Sequence, residues 1–220
     1  FHNEKTPSFS VNEEKQFWHC FGCQKHGDIF SFVMEMEGLE FREALKTLAE
    51  KAGVKLQGYS PQKTQEKNRT LEILELATKW YEYQLWNGPG KIKILGYLRE
   101  RGLKDETIRE FRLGYAPKGW RNILTFLIKR GFKVNEIFKT GILVKKENKA
   151  DYYDRFRERI MFPIADYSGR VVGYSARVAP GGDESQAKYV NTPETEVYHK
   201  SKILYGIDKA KGEVRQKNSV

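Results

Sequence analysis

Phe17-Trp18-His19-Cys20-Phe21-Gly22-Cys23 is the stretch from which the rest of the chain is read. Aromatic, β-prone residues run into two cysteines three apart, and Gly22 between them eases a tight turn. Two thiolates at this spacing suit one zinc ion. A thioredoxin-like redox pair is one rival, but that motif opens a helix after a strand in a βαβ unit, and this neighbourhood does not read that way. Two ordinary buried cysteines are the other. A tetrahedral zinc site needs further ligands; His2 lies upstream, and His19 and His26 are the nearest internal candidates.

Downstream of the knuckle, Asp28 is placed to cap a helix beginning at Ile29. Ile29, Phe32, Val33 and Met36 follow helical spacing, and Gly38 ends the run. A second helix is expected from Glu40 to Ala52, with Phe41, Ala44, Leu45 and Leu48 on one face and a stop at Gly53. Residues 55–69 are polar, with Gly58, Ser60 and Pro61, and read as a linker. An amphipathic helix over 70–87 places Leu71, Leu74, Thr78, Tyr81 and Leu85 together, and shorter helices are expected around 91–101, 104–111 and 119–131. From Tyr152 the pattern turns to strand. Arg159–Ile164 and Arg170–Tyr174 flank Asp166-Tyr167-Ser168-Gly169 as a hairpin. Its second strand puts Val171, Gly173, Ser175 and Arg177 on one face and Val172, Tyr174, Ala176 and Val178 on the other. The expected fold class is α+β: a small N-terminal module, then a mixed helical and strand-rich subdomain.

Charge is unevenly spread. Residues 1–56 hold 7 Lys and Arg against 9 Asp and Glu, whereas residues 57–150 hold 20 against 10. A net charge of +10 with the basic residues in the second part points to a polyanionic partner for that part, most often nucleic acid. The acidic balance of the first part argues that any nucleic acid it meets is held by base contacts and stacking; Trp18 is the residue suspected of stacking, with core packing the safer reading for all the aromatics. No stretch nears 18 consecutive apolar residues, so no membrane partner is expected. Two cysteines are too few for a disulfide framework, which points to a reducing cytoplasmic setting.

Three blocks then carry a family resemblance: His2-Asn3-Glu4-Lys5-Thr6-Pro7-Ser8-Phe9-Ser10-Val11, the knuckle, and Gly27-Asp28-Ile29-Phe30. Together they resemble the zinc-binding domain of bacterial DNA primases of the DnaG type. The resemblance implies a CHC2-type zinc ribbon over 1–54, with His2, Cys20 and Cys23 as three of four ligands. The fourth, a cysteine three residues before His2, falls outside this chain, so weak zinc binding is expected of the chain as given. The segments Tyr153–Ile164, Arg170–Val178, Lys188–Thr195 and His199–Gly206 also resemble these primases, in the N-terminal part of the RNA-polymerase domain, here 70–220. The resemblance makes Arg155, Arg157, Arg177, Lys188, Asn191, Lys200 and Lys202 lining residues of a groove for template DNA and RNA primer, with Arg101 a weaker candidate. Ion pairing of Arg155, Arg157 and Arg159 with Asp151, Asp154 and Glu158 is the structural alternative.

The implied function is synthesis of short RNA primers on single-stranded DNA during replication, as part of a nucleotidyltransferase. No catalytic residue is assigned. Asp183-Glu184 sits in a Gly-rich turn and Asp166 in the hairpin loop, so the carboxylates for Mg²⁺ or Mn²⁺ are expected beyond Val220. A replicative helicase is the implied partner, through a C-terminal region not in this chain. The other function open at this point is a zinc-ribbon single-stranded DNA-binding module without polymerase activity.

Overall fold

The computed structural model describes the chain except residues 55, 57–60, 148–150, 183, 184, 186 and 218–220, and except the side chains of 61, 63 and 215–217. The Asp183-Glu184 turn, residues 55 and 57–60 of the expected linker and Asn218–Val220 therefore lie outside the described residues. The chain divides into two units, Phe1–Ser60 and Pro61–Val220.

The first unit is an antiparallel sheet followed by two helices. Strands β1 (Phe9–Asn12), β2 (Phe17–Cys20) and β3 (His26–Gly27) pair in that order. Trp18 on β2 is 4% exposed, so it is core and not a stacking platform. Its ring stacks on Phe1 at 4.6 Å and meets Phe32 edge-on at 5.9 Å, and its Nε1 donates to the Asp28 carbonyl at 2.8 Å. The indole thus satisfies its polar edge while filling a core too small to spare it. Asp28 caps α1 (Ile29–Glu37) by accepting from the Ser31 N–H at 2.8 Å, and Gly38 ends it in the left-handed region at φ 70°. Helix α2 (Phe41–Lys51) buries Ala44 and Ala49. Phe41, expected on the buried face, is 52% exposed and meets Phe30 at 5.6 Å.

The second unit is organised by α3 (Pro61–Trp86), which starts nine residues before the expected helix, so residues 61–69 are helical rather than linker. Helices α4 (Lys93–Glu100) and α5 (Asp105–Glu110) follow, then strand β4 (Gly114–Ala116). Helices α6 (Asn122–Lys129) and α7 (Val134–Lys139) precede the pair β5 (Leu143–Lys145) and β6 (Tyr152–Asp154). The long hairpin is β7 (Arg159–Ala165) and β8 (Val171–Val178), and β9 (Tyr189–Asn191) adds an edge. A 3₁₀ turn, Lys200–Lys202, and α8 (Ile207–Lys217) complete the unit. No described helix is long and apolar enough to cross a membrane.

The main sheet runs β4-β7-β8-β9, antiparallel throughout. Helix α3 lies on one face, where Ile73, Leu74, Ala77 and Tyr81 pack with Met161, Tyr174 and Ala176. The approach is close: a Cβ at Gly114 would sit 2.6 Å from the Tyr81 Cβ, so only glycine admits the helix there. On the other face Ile94, Leu95 and Leu98 of α4 cover Tyr115, Ile160 and Ala179, at the β4–β7 side. A bulge at Ile164/Ala165 changes the expected facing of β8: Val171 joins the α3 side with Tyr174 and Ala176, and Val172 joins Ile164 and Tyr198.

Asp154, at the end of β6, is 2% exposed and caps α6 by accepting from the Ile123 and Leu124 N–H groups at 2.9 and 3.1 Å. Burial pushes its pKa up to about 6, against the pull of those N–H groups. A folded-state pKa above the unfolded one means that folding takes up a proton between about pH 6 and 4, so this group's contribution to stability grows as pH falls through 6. The melting temperature of the wild type relative to Asp154→Asn, measured from pH 7.5 to 5, should rise toward pH 5. A constant difference would remove the titration from the account. Asp154→Ala should lower the melting temperature at every pH, by about 1–2 kcal/mol of stability, because it uncaps a buried helix start.

Candidate metal centre and nucleic-acid interface

The knuckle at the end of β2 is shaped by backbone bonds before any metal is considered. Cys20 N–H donates to the Lys25 carbonyl and Gln24 N–H to the Cys20 carbonyl, both at 2.8 Å, with Gln24 at φ 61° closing the turn. Ser8 grips the turn from β1's side: its carbonyl accepts from Phe21 N–H at 2.9 Å and its Oγ from Gly22 N–H at 3.0 Å.

Within this frame His2, Cys20 and Cys23 bring one ligand atom each to within 4.8 Å of one another. The Cys20 Sγ lies 3.6 Å from the His2 Nδ1. The His2 Nε2 is 3.0 Å from a Glu4 carboxylate oxygen, which fixes the ring with Nδ1 turned to the sulfurs. Glu4 also accepts from the Ser8 N–H at 2.8 Å and from its hydroxyl. A Cβ at Gly22 would fall 2.4 Å from the His2 ring, so glycine there makes room for the imidazole as well as for the turn. The Cys23 N–H, followed by the Gly22 N–H, holds the Cys20 thiol down at about 7. Two thiols and one imidazole in a tight cluster are the soft donor set zinc prefers. His19 and His26 stay outside it. They face each other across β2–β3 with rings 5.8 Å apart, on the side away from Cys20, beside Phe17 and Phe21.

In the second unit, the β8–β9 side of the face that α4 leaves open carries Ser175 and Arg177 of β8, opposite Asn191 and Tyr189 of β9. Arg177 and Lys188 line a cavity of about 400 Å³ with Tyr97, Ala179 and Gly181. Tyr97, from α4, was not singled out in the sequence. Its hydroxyl accepts from the Arg177 Nη1, and its ring lies 5.4 Å from that guanidinium. Lys188 and Tyr189 are exposed. Gly173 underlies Tyr198, whose ring would be 3.1 Å from a Cβ there, and Tyr198 leads into His199 and the exposed Lys200 and Lys202. Glu194 fastens that turn by accepting from Lys200 N–H at 2.9 Å and pairing with His199 at 2.8 Å.

The remaining candidates are placed differently. Arg155 is half-buried and donates to the Gly141 carbonyl at 2.6 Å and the Leu143 carbonyl at 3.4 Å. Arg157 donates to the Asp154 carbonyl, and its guanidinium carbon lies 4.1 Å from the centre of the Trp120 ring. Arg159 is 3% exposed and donates to the Ala187 carbonyl at 2.9 Å. For Arg155 and Arg157 the contacts described are to carbonyls and aromatic rings, and the basic partners of Asp151 are Arg121 and Lys146. Arg101 is exposed just after α4, apart from the β8–β9 cluster in sequence and element. Asp166 holds the β7–β8 turn, accepting from Ser168 and Arg170 N–H groups at 3.0 Å.

The arrangement matches a known family at both ends. Residues 1–65 match the CHC2 zinc finger family and residues 80–211 the N-terminal domain of the DNA primase catalytic core. The chain belongs to the DnaG-type DNA primases. A DNA primase of Deinococcus radiodurans is 45% identical over 96% of this chain. The chain spans 35% of that relative's length. The zinc-binding and RNA-polymerase domains of Aquifex aeolicus primase align over 99% of this chain and 51% of that one, at 30% identity and a TM-score of 0.62. The RNA-polymerase domain of Mycobacterium tuberculosis DnaG, solved with a double-stranded DNA oligomer bearing a 6-nucleotide overhang, aligns over 68% of this chain and 46% of that one, at 34% identity and a TM-score of 0.63.

Cys20→Ser should abolish the chain's zinc binding in competition with a chromophoric chelator. Glu4→Gln, which loosens the imidazole without removing a donor, should weaken it by about 10-fold or more. Equal affinities for wild type and Glu4→Gln would show that the carboxylate does not orient His2.

Proposed function

We propose that this chain is the template-holding part of a DNA primase, a nucleotidyltransferase that lays short RNA primers on single-stranded DNA during replication. The observation that carries this reading is the open β8–β9 face, where Arg177 and Lys188 line one cavity and Asn191 pairs with Ser175 on the same side of the sheet as Arg177. It belongs to a unit, residues 61–220, that holds 32 Lys and Arg against 20 Asp and Glu. Guanidinium and ammonium groups on an accessible sheet face suit a phosphate backbone, and Asn191 adds a neutral donor and acceptor. The Mycobacterium tuberculosis relative was solved with DNA, which supports the same reading.

In this proposal His2, Cys20 and Cys23 hold zinc, which supplies structural cross-linking: it would join the segment before β1 to the knuckle after β2. Primer chemistry needs carboxylates around Mg²⁺ or Mn²⁺. These, and the contact with a replicative helicase, are assigned to the length of the relatives that this chain does not span. Two cysteines with no disulfide between them fit a cytoplasmic location.

The test is the affinity of the chain for a fluorescent single-stranded oligonucleotide across salt. Affinity should fall steeply between about 50 and 200 mM. Lys188→Ala combined with Lys200→Ala should weaken binding and lower the salt slope by about 2, with an unchanged melting temperature. Binding indifferent to salt would defeat the phosphate-groove reading, and a large loss of thermal stability would make the two lysines structural.

A further inference from the structure

Several arginines of the second unit are held by acids. Arg69, Arg99, Arg112, Arg121 and Arg170 each meet a carboxylate within 3.3 Å. Arg177 is held by a phenol instead. Its Nη1 donates to the Tyr97 hydroxyl, and its guanidinium carbon lies 5.4 Å from the centre of the Tyr97 ring. Among the described residues no carboxylate pairs with it, and its Nε is buried without a partner. The residue opposite it on β9 is Tyr189, a second phenol.

Tyr97 is itself well placed to hold a neighbour still. Ile94, Leu95 and Leu98 of its own helix are buried in a cluster with Ile160 and Ala179, and Tyr97 packs half-buried against that cluster. The described residues that line the cavity include Arg177 and Lys188 and no acid. Lys93 borders it as well, since a Cβ at Gly181 would lie 2.9 Å from the Lys93 ammonium nitrogen. A carboxylate in the place of the phenol would also orient the guanidinium, but it would cancel the charge and repel a phosphate. A neutral hydroxyl orients the fork and leaves its charge whole. It engages Nη1, which leaves Nη2 without a described partner and available to a ligand oxygen. If Tyr97 served only to pack α4 on the sheet, phenylalanine would do as well.

We propose that Tyr97 is a positioning residue: its hydroxyl fixes the Arg177 guanidinium for one phosphate of a bound strand without neutralising it. This rests on the reading of the second unit as a single-strand holder and adds to it a residue that touches no nucleic acid itself. A pre-set fork loses little side-chain freedom on binding, so it acts on how long the strand stays. The exposed lysines, whose charge works at a distance, act on how fast it arrives.

The experiment is a double-mutant cycle on the 220-residue chain, with association and dissociation of fluorescent oligo-dT followed by stopped-flow anisotropy. Tyr97→Phe should bind about fivefold more weakly, through faster dissociation, with an unchanged melting temperature. Arg177→Ala should lose about tenfold and lower the salt slope by about 1. The double variant should bind as Arg177→Ala alone does, because the hydroxyl then has nothing to hold. Tyr97→Glu should bind more weakly than Tyr97→Phe, since its carboxylate offsets the guanidinium charge. If Arg177→Ala does not fold, as judged by circular dichroism, Arg177→Gln takes its place in the cycle. Tyr97→Phe that binds as the wild type does would overturn the proposal. So would losses that add in the double variant, or Tyr97→Glu that binds no worse than Tyr97→Phe. Wild-type chain that does not bind the strand would overturn the single-strand reading together with the proposal. Slower association in Lys188→Ala with Lys200→Ala, without any defect in Tyr97→Phe, would overturn the positioning role alone.

Discussion

Tyr174 is the tie on which the second unit depends. It stands in the middle of β8, fully buried, and its hydroxyl donates to the Leu74 carbonyl at 2.7 Å and shares a 2.8 Å bond with Thr78. An unpaired buried hydroxyl would be costly, so the helix must present Leu74 and Thr78 at that point and in that rotation. The absence of a side chain at Gly114 lets the helix descend far enough to do so. Once α3 is locked to one face, the hairpin's polar residues are committed to the other. The accessible basic face follows from a buried hydrogen bond on the opposite side of the sheet.

The first unit rests on a different constraint. Its aromatic core gathers Phe1, Phe9, Trp18 and Phe32 around a three-stranded sheet with only four residues in each of its two longer strands. A core of that size leaves folding free energy marginal, and a metal bond between distant parts of the chain is the usual supplement. The geometry prepares for it at several levels. Ser8 holds the turn, Glu4 holds Ser8 and the His2 ring, and Gly22 leaves the imidazole its space. The ligands are oriented by groups that do not themselves bind the ion.

Much of this was legible in the sequence because it follows from local chemistry. Asp28 and Gly38 bound a helix for reasons that involve only its own backbone, and the hairpin around Asp166 follows from alternation and a polar turn. The Cys20–Cys23 pair was legible from its spacing, while His2 as their companion came from the family resemblance and not from the spacing. What sequence did not yield depends on distant partners. Residues 61–69 are polar, yet helical, because Arg69 bridges to Glu136 and lies over Phe132, both far along the chain. The β8 facing changed at a bulge, which alternation cannot register. Tyr97 and Trp120 carry no motif; only the fold sets one against Arg177 and the other against Arg157.

That contrast separates the basic residues by role. Arginines beside acids in sequence looked ready to pair with them, and Arg155 and Arg159 also reach backbone carbonyls, of Gly141 and Ala187. Burying a guanidinium is tolerable when its planar fork meets several acceptors, which a lysine ammonium at the same place could not match. Lys188, Lys200 and Lys202, by contrast, stand exposed on long flexible stems, where a mobile charge can follow a phosphate without a fixed geometry. Arg177 lies between these regimes, half-buried and steadied by Tyr97 but open to the cavity. The sheet edge thus joins rigid arginines that hold its shape to mobile lysines that supply attraction. In the proposed reading, a face built this way would hold a strand by its backbone while leaving the bases free for pairing.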